Sequence, residues 1–200
     1  MGIHNVLAKL NIDHEITGVD IKLQKHYPFN FIQADALTFP LDGYDFYWAS
    51  PPCQGYSIMR NLPWNKNRNY PLLIDTTRQR LLSLKKPYII ENVMGAKMPA
   101  GWLCGTMFGK PYYRHRAFDT SYFWLQPSHA RHTNIINSGR YLKDRARKVI
   151  FKNPNSDANT AEIRQAFDID WMNQDELSQA IPPVYREYLM NAFLRNLKSE

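Results

Sequence analysis

The sequence predicts an α/β domain built on a largely parallel β-sheet with crossover helices, and three observations lead to that prediction. Short apolar runs alternate with helical segments along the first half of the chain, as in successive strand–helix–strand units. Some of these runs are apolar throughout, which is typical of strands covered on both faces. With 200 residues and 44% hydrophobic content, the chain is long enough for one globular domain with a core.

The predicted elements follow one another at short spacing. Apolar side chains at helical spacing predict a first helix over residues 1–10. Strands are predicted at residues 14–21, 29–35, 44–50 and 88–93, and a helix is predicted at residues 72–86. The second half predicts a hairpin strand within residues 112–122 and helices at residues 160–167, at 173–180 and after Pro182-Pro183.

The composition indicates which kind of partner and which cellular compartment to expect. The formal net charge of +7 and the basic isoelectric point near 9.4 favour a polyanionic partner. Two cysteines are too few for a disulfide framework. No signal peptide and no run long enough to span a membrane is apparent, so we expect a soluble, cytoplasmic protein.

Cys53 is the first candidate for chemistry. It follows the predicted strand at residues 44–50 in the run ASPPCQ, so its thiol should lie at the carboxyl end of the sheet. Open α/β sheets bind their ligands there. A partly exposed cysteine near basic groups favours the nucleophilic thiolate. The alternative is a buried structural cysteine.

Two further groups of polar residues belong to the same part of the predicted fold. Glu91 ends an apolar run and should emerge at the same edge as Cys53, where the two would form a nucleophile and acid–base pair. Arg114 and Arg116 alternate, so both guanidinium groups should project from one face of a strand toward a carbonyl oxygen or phosphate. The alternatives are a strand-end cap for Glu91 and a solvated charged face for the arginines.

The order of these motifs resembles the DNA (cytosine-5)-methyltransferase family. PPCQ, ENV, an RxR pair and an Ala-Ile-Pro-Pro segment follow one another, and the resemblance covers the chain from Gly18 to about Leu194. The short form is similar to the small methylases of phages and their bacterial hosts, including those of restriction–modification systems. The resemblance implies a Rossmann-like methyltransferase fold that depends on S-adenosylmethionine and has a very small target-recognition region.

The resemblance also implies a role for each motif. Cys53 would attack carbon 6 of cytosine, while Glu91 would contact ring N3 and the exocyclic amine and help to protonate N3. Arg116 would hold the O2 carbonyl, with Arg114 supporting the site. The methyl group would come from S-adenosylmethionine, and the target base would be flipped out of duplex DNA.

Residues for the cofactor and for DNA are implied in the same way. Asp20 would bind the ribose hydroxyls, Ile21 would pack on the adenine and Asp35 would contact the adenine amine. Ala36 and Pro51 complete the predicted cofactor site. The residues predicted to contact nucleic acid lie on the loop after Cys53 and on the basic stretch at residues 131–152, and they are Gln54, Ser57, Arg60, Lys66, Arg68, Arg145 and Arg147. No residue is predicted to bind a metal.

One family segment has no counterpart in this sequence. Family members begin with a strand and a Phe-x-Gly-x-Gly loop that cradles the cofactor. That strand lies at the centre of a doubly wound sheet, so the strands ending at Asp20 and Ser50 would each have an unpaired edge. The candidate explanations are a start assigned too late, a partner chain that supplies the strand, or a non-catalytic remnant. Direct pairing of the two edges is a further arrangement.

The sequence also predicts three regions along the chain. We expect a catalytic core at residues 1–118, a reduced target-recognition region at 119–170, and a C-terminal helical segment at 171–200 that packs on the core. The alternatives to a DNA methyltransferase are an inactive or truncated remnant that binds DNA, and a methyltransferase for cytosine in RNA or nucleotides. A bacterial host or a phage is the expected source.

Overall fold

The structure is a computed structural model that describes residues 2–63, 65, 67–112, 114–129, 131–132 and 160–198. The chain divides into two compact units, each with a small β-sheet of its own. Unit 1 comprises Met1–Ala34, Cys104–Arg114 and Pro127–Glu200, and unit 2 comprises Asp35–Leu103 and His115–Gln126. The chain is therefore a mixed α/β protein.

In its described residues, unit 1 combines four α-helices with a two-stranded parallel sheet. Its elements are α1 (Gly2–Lys9), β1 (Thr17–Asp20), β2 (Asn30–Gln33), α3 (Thr160–Phe167), α4 (Gln174–Gln179) and α5 (Pro183–Leu197). Strands β1 and β2 pair in parallel, with Thr17 opposite Asn30. The core of this unit is aromatic and aliphatic, because Tyr185, Leu189 and Leu177 are fully buried and Tyr112 packs against Phe167 at a ring distance of 4.6 Å.

Local sequence signals explain where the last two helices begin. Asn173 caps α4 by accepting the backbone N–H of Glu176, and the Glu176 carboxylate accepts the N–H of Asn173 in return. This reciprocal arrangement is a capping box, which satisfies two donors at the start of the helix. Pro183 is the first residue of α5, where its lack of an N–H costs nothing. The predicted helices at residues 160–167, at 173–180 and after Pro182-Pro183 are confirmed.

Unit 2 contains a four-stranded mixed sheet in the order β3, β4, β6, β5, with one helix. Its elements are β3 (Tyr47–Ala49), α2 (Ile74–Ser83), β4 (Tyr88–Asn92), β5 (Gly101–Leu103) and β6 (Arg116–Thr120). Strand β4 is buried along its whole length. Tyr47, Leu81, Tyr88 and Ile90 form a core cluster, so truncating Ile90 should cost about 2–5 kcal/mol of unfolding free energy.

The sheets differ from the predicted parallel sheet in two respects. Strands β3 and β4 pair in parallel as predicted, but β6 runs antiparallel to both β4 and β5. Strand β5, which begins at a glycine with a φ of +136°, was not predicted, because three residues give too short a pattern to identify. In the described residues β1 and β3 belong to different sheets, so the two edges are not paired with each other.

The domain boundaries also differ from the predicted ranges. A division between residues 118 and 119 would cut β6, which covers Arg116–Thr120. Both compact units are built from separated stretches of chain, since unit 2 takes residues from either side of Cys104–Arg114. Sequence reasoning missed this because composition reports contiguous segments, whereas strand pairing joins distant ones.

Candidate active site

The carboxyl ends of the parallel strands β3 and β4 bring two predicted residues to one edge of unit 2. The pairing sets Ala49 opposite Ile90, so the chain leaves β3 just where β4 continues to Glu91. Cys53 lies four residues after Ala49, on the loop that follows β3. Side chains that follow neighbouring parallel strands meet at the same edge of a sheet. Cys53 and Glu91 therefore share the edge that the sequence predicts for them.

The Cys53 loop is held in a defined turn. The carbonyl of Cys53 accepts the backbone N–H of Tyr56 at 3.0 Å and that of Ser57 at 2.9 Å. Arg60 donates from Nη1 to the Gly55 carbonyl at 2.8 Å. Cys53 itself is half-buried and carries a free thiol. These bonds fix the backbone at the thiol, a requirement for a nucleophile that must meet its target atom in one orientation.

Two contacts fasten this loop to the end of β4. The side-chain amide of Asn92 donates to the Pro51 carbonyl at 2.9 Å, while its oxygen accepts the N–H of Val93 at 3.0 Å. Gly95 lies so close to the loop that an added Cβ would stand 2.1 Å from the Tyr56 carbonyl oxygen. The segment that carries Cys53 is thus packed directly against the segment that follows Glu91.

Glu91 and Arg116 form an ion pair in the same unit. Nε of Arg116 lies 2.9 Å from Oε1 of Glu91, and the two side chains are 18% and 7% exposed. Arg116 is the first residue of β6, the antiparallel neighbour of β4, and its Nη1 also donates to the His115 carbonyl at 2.9 Å. The pair sets the buried Glu91 acceptor beside the half-buried Arg116 donor, at the edge where the Cys53 loop lies. This arrangement suits a planar polar ligand that offers both kinds of group.

Arg114 occupies a different setting from the one predicted. It precedes β6 and belongs to unit 1, so the two arginines do not project from one strand face. Its guanidinium donates to the Leu177 carbonyl at 3.1 Å and to the Ser178 carbonyl, and it lies 5.5 Å from the ring centre of Phe167. The last carbonyls of a helix lack partners within the helix and favour a cation, which explains why Arg114 binds the end of α4.

Asp20 is the last residue of β1 in unit 1, and Ile21 follows it. Oδ1 of Asp20 accepts the N–H of Lys22 at 2.8 Å, and Oδ2 accepts the side-chain amide of Gln24 at 3.1 Å. A carboxylate has about four lone pairs, so these two bonds leave acceptor capacity for a hydroxyl. Ile21 is 66% exposed, an unusual setting for a large apolar side chain and a suitable contact for an aromatic ring. That this pair binds the ribose and adenine of S-adenosylmethionine stays a prediction.

The other residues predicted for the cofactor form local structure in unit 2. Asp35 is exposed and accepts the N–H of Leu37 at 2.9 Å, as an aspartate does in an Asx turn. The carbonyl of Ala36 accepts from Arg80, and that of Pro51 accepts from Asn92. Their part in binding the cofactor stays a prediction.

The residues predicted to contact nucleic acid are described only in part. Gln54 and Arg68 are exposed, while Ser57 is half-buried. Arg60 is exposed as a residue, although its guanidinium is engaged by the Gly55 carbonyl. Lys66, Arg145, Arg147 and nearly all of the basic stretch at residues 131–152 lie outside the described residues.

Sequence reasoning missed Asn92 and Gly95. Asn92 lies inside the ENV motif near the end of the predicted strand, and Gly95 is the first glycine after that strand. An amide that ends a buried strand and a glycine just beyond it are signals of a backbone contact at the strand end.

No protein-family profile, curated protein or solved structure matches this chain. In the described residues no helix combines the length and the apolar character that a membrane crossing requires. The function is therefore inferred from the chemistry of the residues described above.

Proposed function

We propose that this protein transfers a methyl group from S-adenosylmethionine to carbon 5 of a cytosine flipped out of duplex DNA. The observation that carries the proposal is the ion pair at 2.9 Å between buried Glu91 and half-buried Arg116, at the sheet edge where the Cys53 loop also lies. We also propose a Rossmann-like fold with a small target-recognition region. The protein would act in the cytoplasm of a bacterium or of a phage-infected cell.

The Glu91–Arg116 pair is complementary to one edge of cytosine. That edge offers an amine donor at N4, a ring nitrogen at N3 and a carbonyl acceptor at O2. The Glu91 carboxylate would accept from the amine and share a proton with N3, while the Arg116 guanidinium would donate to O2. Uracil and thymine carry a carbonyl oxygen at position 4, which would face the carboxylate and be repelled. The pair thus selects cytosine.

Cys53 would supply the nucleophile. Its thiolate adds to carbon 6 and forms a C6–S bond, while protonation at N3 by Glu91 takes up the charge that would develop on the ring. The addition makes carbon 5 nucleophilic. After carbon 5 gains its methyl group, a base takes the carbon 5 proton, the C6–S bond breaks to return the thiolate, and N3 gives its proton back to Glu91. The fixed turn at residues 53–57 would aim the sulfur at carbon 6.

The cofactor contacts would come from Asp20 and Ile21. The Asp20 carboxylate would accept hydrogen bonds from the ribose hydroxyls, and the exposed Ile21 side chain would cover the adenine ring. When bound, S-adenosylmethionine supplies an electrophilic methyl group on a sulfonium sulfur and leaves as S-adenosylhomocysteine.

Contact with DNA rests on charge and on the loop after Cys53. The net charge of +7 favours the phosphate backbone. Ile58, which follows this loop in a short 3₁₀ helix, is 83% exposed. An exposed aliphatic side chain next to the nucleophile suits contact with bases that lose a stacked neighbour when the target is flipped.

A duplex that contains 5-fluorocytosine tests the proposal directly. Fluorine at carbon 5 cannot leave as a proton does, so the C6–S bond should persist as a covalent adduct. We expect the purified chain with S-adenosylmethionine to form this adduct, and mass spectrometry of peptides should place it on Cys53 rather than Cys104. Cys53→Ser should form none.

Parallel reactions distinguish the alternative functions. Fluorinated single-stranded RNA and fluorinated deoxycytidine nucleotides replace the duplex in separate samples, and preference for either would move the substrate away from DNA. Calorimetry measures binding of cofactor and duplex in the same preparation. A chain that binds duplex DNA but forms no adduct would be a non-catalytic DNA-binding protein, and the proposal would fail.

A further inference from the structure

Three potential metal ligands lie together in unit 1, in a place that the proposed function does not use. Sγ of Cys104 is 3.4 Å from Nε2 of His132, and that nitrogen is 2.8 Å from Nε2 of His129. All three donor atoms lie within 4.8 Å of one another. Cys104 and His132 are 28 positions apart in the chain, so the fold rather than the sequence brings them together.

We propose that Cys104, His129 and His132 bind one zinc ion, or a divalent ion of similar size and ligand preference. Thiolate sulfur and imidazole nitrogen are the ligands that zinc prefers. Zinc–sulfur bonds of about 2.3 Å and zinc–nitrogen bonds of about 2.0 Å in a tetrahedron separate sulfur from nitrogen by about 3.5 Å. The observed separation of 3.4 Å between Cys104 and His132 matches that value.

The two imidazole nitrogens are closer together than two ligands of one zinc ion. Tetrahedral geometry separates them by about 3.3 Å, so binding would move the rings apart by about 0.5 Å. His129 is exposed and lies outside any helix or strand. The rings stand nearly perpendicular, at 88°.

The surroundings of Cys104 hold its sulfur atom in one position. The side chain is fully buried, and the Thr106 hydroxyl donates to Sγ at 3.4 Å. Hydrogen bonds from neighbouring groups to a coordinating sulfur stabilise its charge and fix its position. The Cys104 carbonyl accepts the N–H of Met107 at 3.1 Å, which holds the backbone at the start of a short 3₁₀ helix. One ligand is therefore preorganised.

Sequence analysis predicts no metal site, although a signal was present. His129 and His132 lie three positions apart in the run HARH, and a cysteine precedes them at position 104; cysteine and histidine are the usual zinc ligands. A metal bound here would cross-link the segment that begins at Cys104 to residues 129–132 within unit 1. Three protein ligands leave the fourth position of a tetrahedral ion to water or to another side chain.

Cobalt(II) titration of the Cys53→Ser chain tests the site. The chain has two cysteines, so in this variant a thiolate-to-cobalt absorption band in the near ultraviolet can arise from Cys104 alone. We expect that band to saturate at one cobalt per chain and to disappear when zinc is added. The strength of the visible bands distinguishes four-coordinate from six-coordinate cobalt. This titration needs no substitution at Cys104, and its readout does not depend on methyl transfer.

A second histidine pair gives a matched control. Nδ1 of His4 lies 2.8 Å from Nε2 of His14, the same separation as in the proposed site. Titrations of His14→Ala and His132→Ala, both in the Cys53→Ser background, should give unchanged binding for the former and at least tenfold weaker binding for the latter. Zinc should also raise the melting temperature of the unsubstituted chain, and a chelator should reverse the rise. Absence of the cobalt band, or equal effects of the two histidine substitutions, would overturn the proposal.

Discussion

Nε of Arg116 lies 2.9 Å from Oε1 of Glu91, across two antiparallel strands and largely out of contact with solvent. Each of these groups compensates the charge of the other. Without its partner, a charge in this position would cost several kcal/mol of desolvation free energy. A pair so placed contributes little net stability compared with apolar side chains. Under the proposed function, the pair would hold a donor and an acceptor for the cytosine ring.

The Glu91–Arg116 pair should show strong coupling in a double-mutant cycle. Arg116→Met leaves the Glu91 carboxylate buried without its cation and should lower the free energy of unfolding by about 3–5 kcal/mol. Arg116→Met combined with Glu91→Gln removes both charges and should recover a large part of that loss. Urea denaturation of the original chain, the single variants Arg116→Met and Glu91→Gln, and the double variant measures the coupling free energy. Additive effects would contradict the buried pair.

Asn92 should control the mobility of the Cys53 loop. Asn92→Ala leaves the Pro51 carbonyl and the Val93 N–H without their side-chain partner, which should cost about 1–3 kcal/mol of unfolding free energy. Local opening of the loop then becomes more frequent, so Cys53 should react faster with iodoacetamide. Mass spectrometry of peptides follows Cys53 separately from Cys104. Gln54→Ala, at an exposed neighbour of Cys53, is the control and should leave the rate unchanged.

Arg78 binds two aspartates in very different surroundings, which gives a matched comparison. Its Nε lies 2.5 Å from the carboxylate of Asp119, which is 8% exposed, and its Nη1 lies 2.5 Å from that of Asp75, which is 91% exposed. The hydrogen bond to Asp119 is the main reason that the pKa of Arg78 is raised.

Removal of each aspartate should therefore have a different effect on stability. Asp119→Asn should lower the unfolding free energy by about 2–3 kcal/mol, because a buried partner of the guanidinium is lost while Arg78 keeps some solvent contact. Asp75→Asn should change it by less than about 1 kcal/mol. Chemical denaturation of the two variants gives the comparison, and equal losses would contradict it.

The helices and strands that could be predicted are those whose position is determined by a local residue pattern. Pro182-Pro183 and the Asn173–Glu176 capping box mark helix starts by local chemistry, and those helices appear where predicted. Strand β4 could be predicted because Ile89 and Ile90 belong to an apolar run of sheet length. Strand β5 and the antiparallel direction of β6 could not, because they depend on which distant segments pair.

The arrangement of the candidate site could likewise be predicted only in part. Cys53 and Glu91 could be brought to one edge by reasoning, since parallel strands deliver their ends together. Arg114 could not be separated from Arg116 by alternation alone, because its partners are carbonyls at the end of α4, sixty-three or more positions away in the chain. The Cys104–His132 contact arises in the same way from distant segments.

Glu176 should make the stability of the protein depend on pH in the acidic range. Burial by itself would raise the pKa of Glu176, but hydrogen bonds from His26 and from the Asn173 backbone outweigh it and lower the pKa below 4.5. A carboxyl group whose pKa falls on folding stabilises the folded state above its unfolded pKa, and this stabilisation is lost as pH falls through the folded pKa.

Glu176→Gln should therefore flatten the acid side of the stability profile. Glutamine can replace glutamate in a capping box, so the substitution removes the charge while keeping the cap. We expect the difference in melting temperature between the original chain and the variant to be largest above pH 4.5 and to shrink as pH falls further. Asp175→Asn, which removes an exposed carboxylate from the same helical turn, should leave that dependence unchanged.

Arg114 and Arg116 should separate stability from activity when each is replaced by lysine. Arg114→Lys loses the fork that binds the Leu177 and Ser178 carbonyls together and the stacking on Phe167, so it should lower the unfolding free energy by about 1–3 kcal/mol. Arg116→Lys keeps a cation beside Glu91 and should change stability less. A lysine cannot hold the carboxylate and a ring carbonyl in one plane, so adduct formation on fluorinated duplex should slow by about 100-fold. If Arg114→Lys slows the reaction as strongly at a temperature where it stays folded, Arg114 acts on the substrate as the sequence first indicated, and its place at the end of α4 is not its whole role.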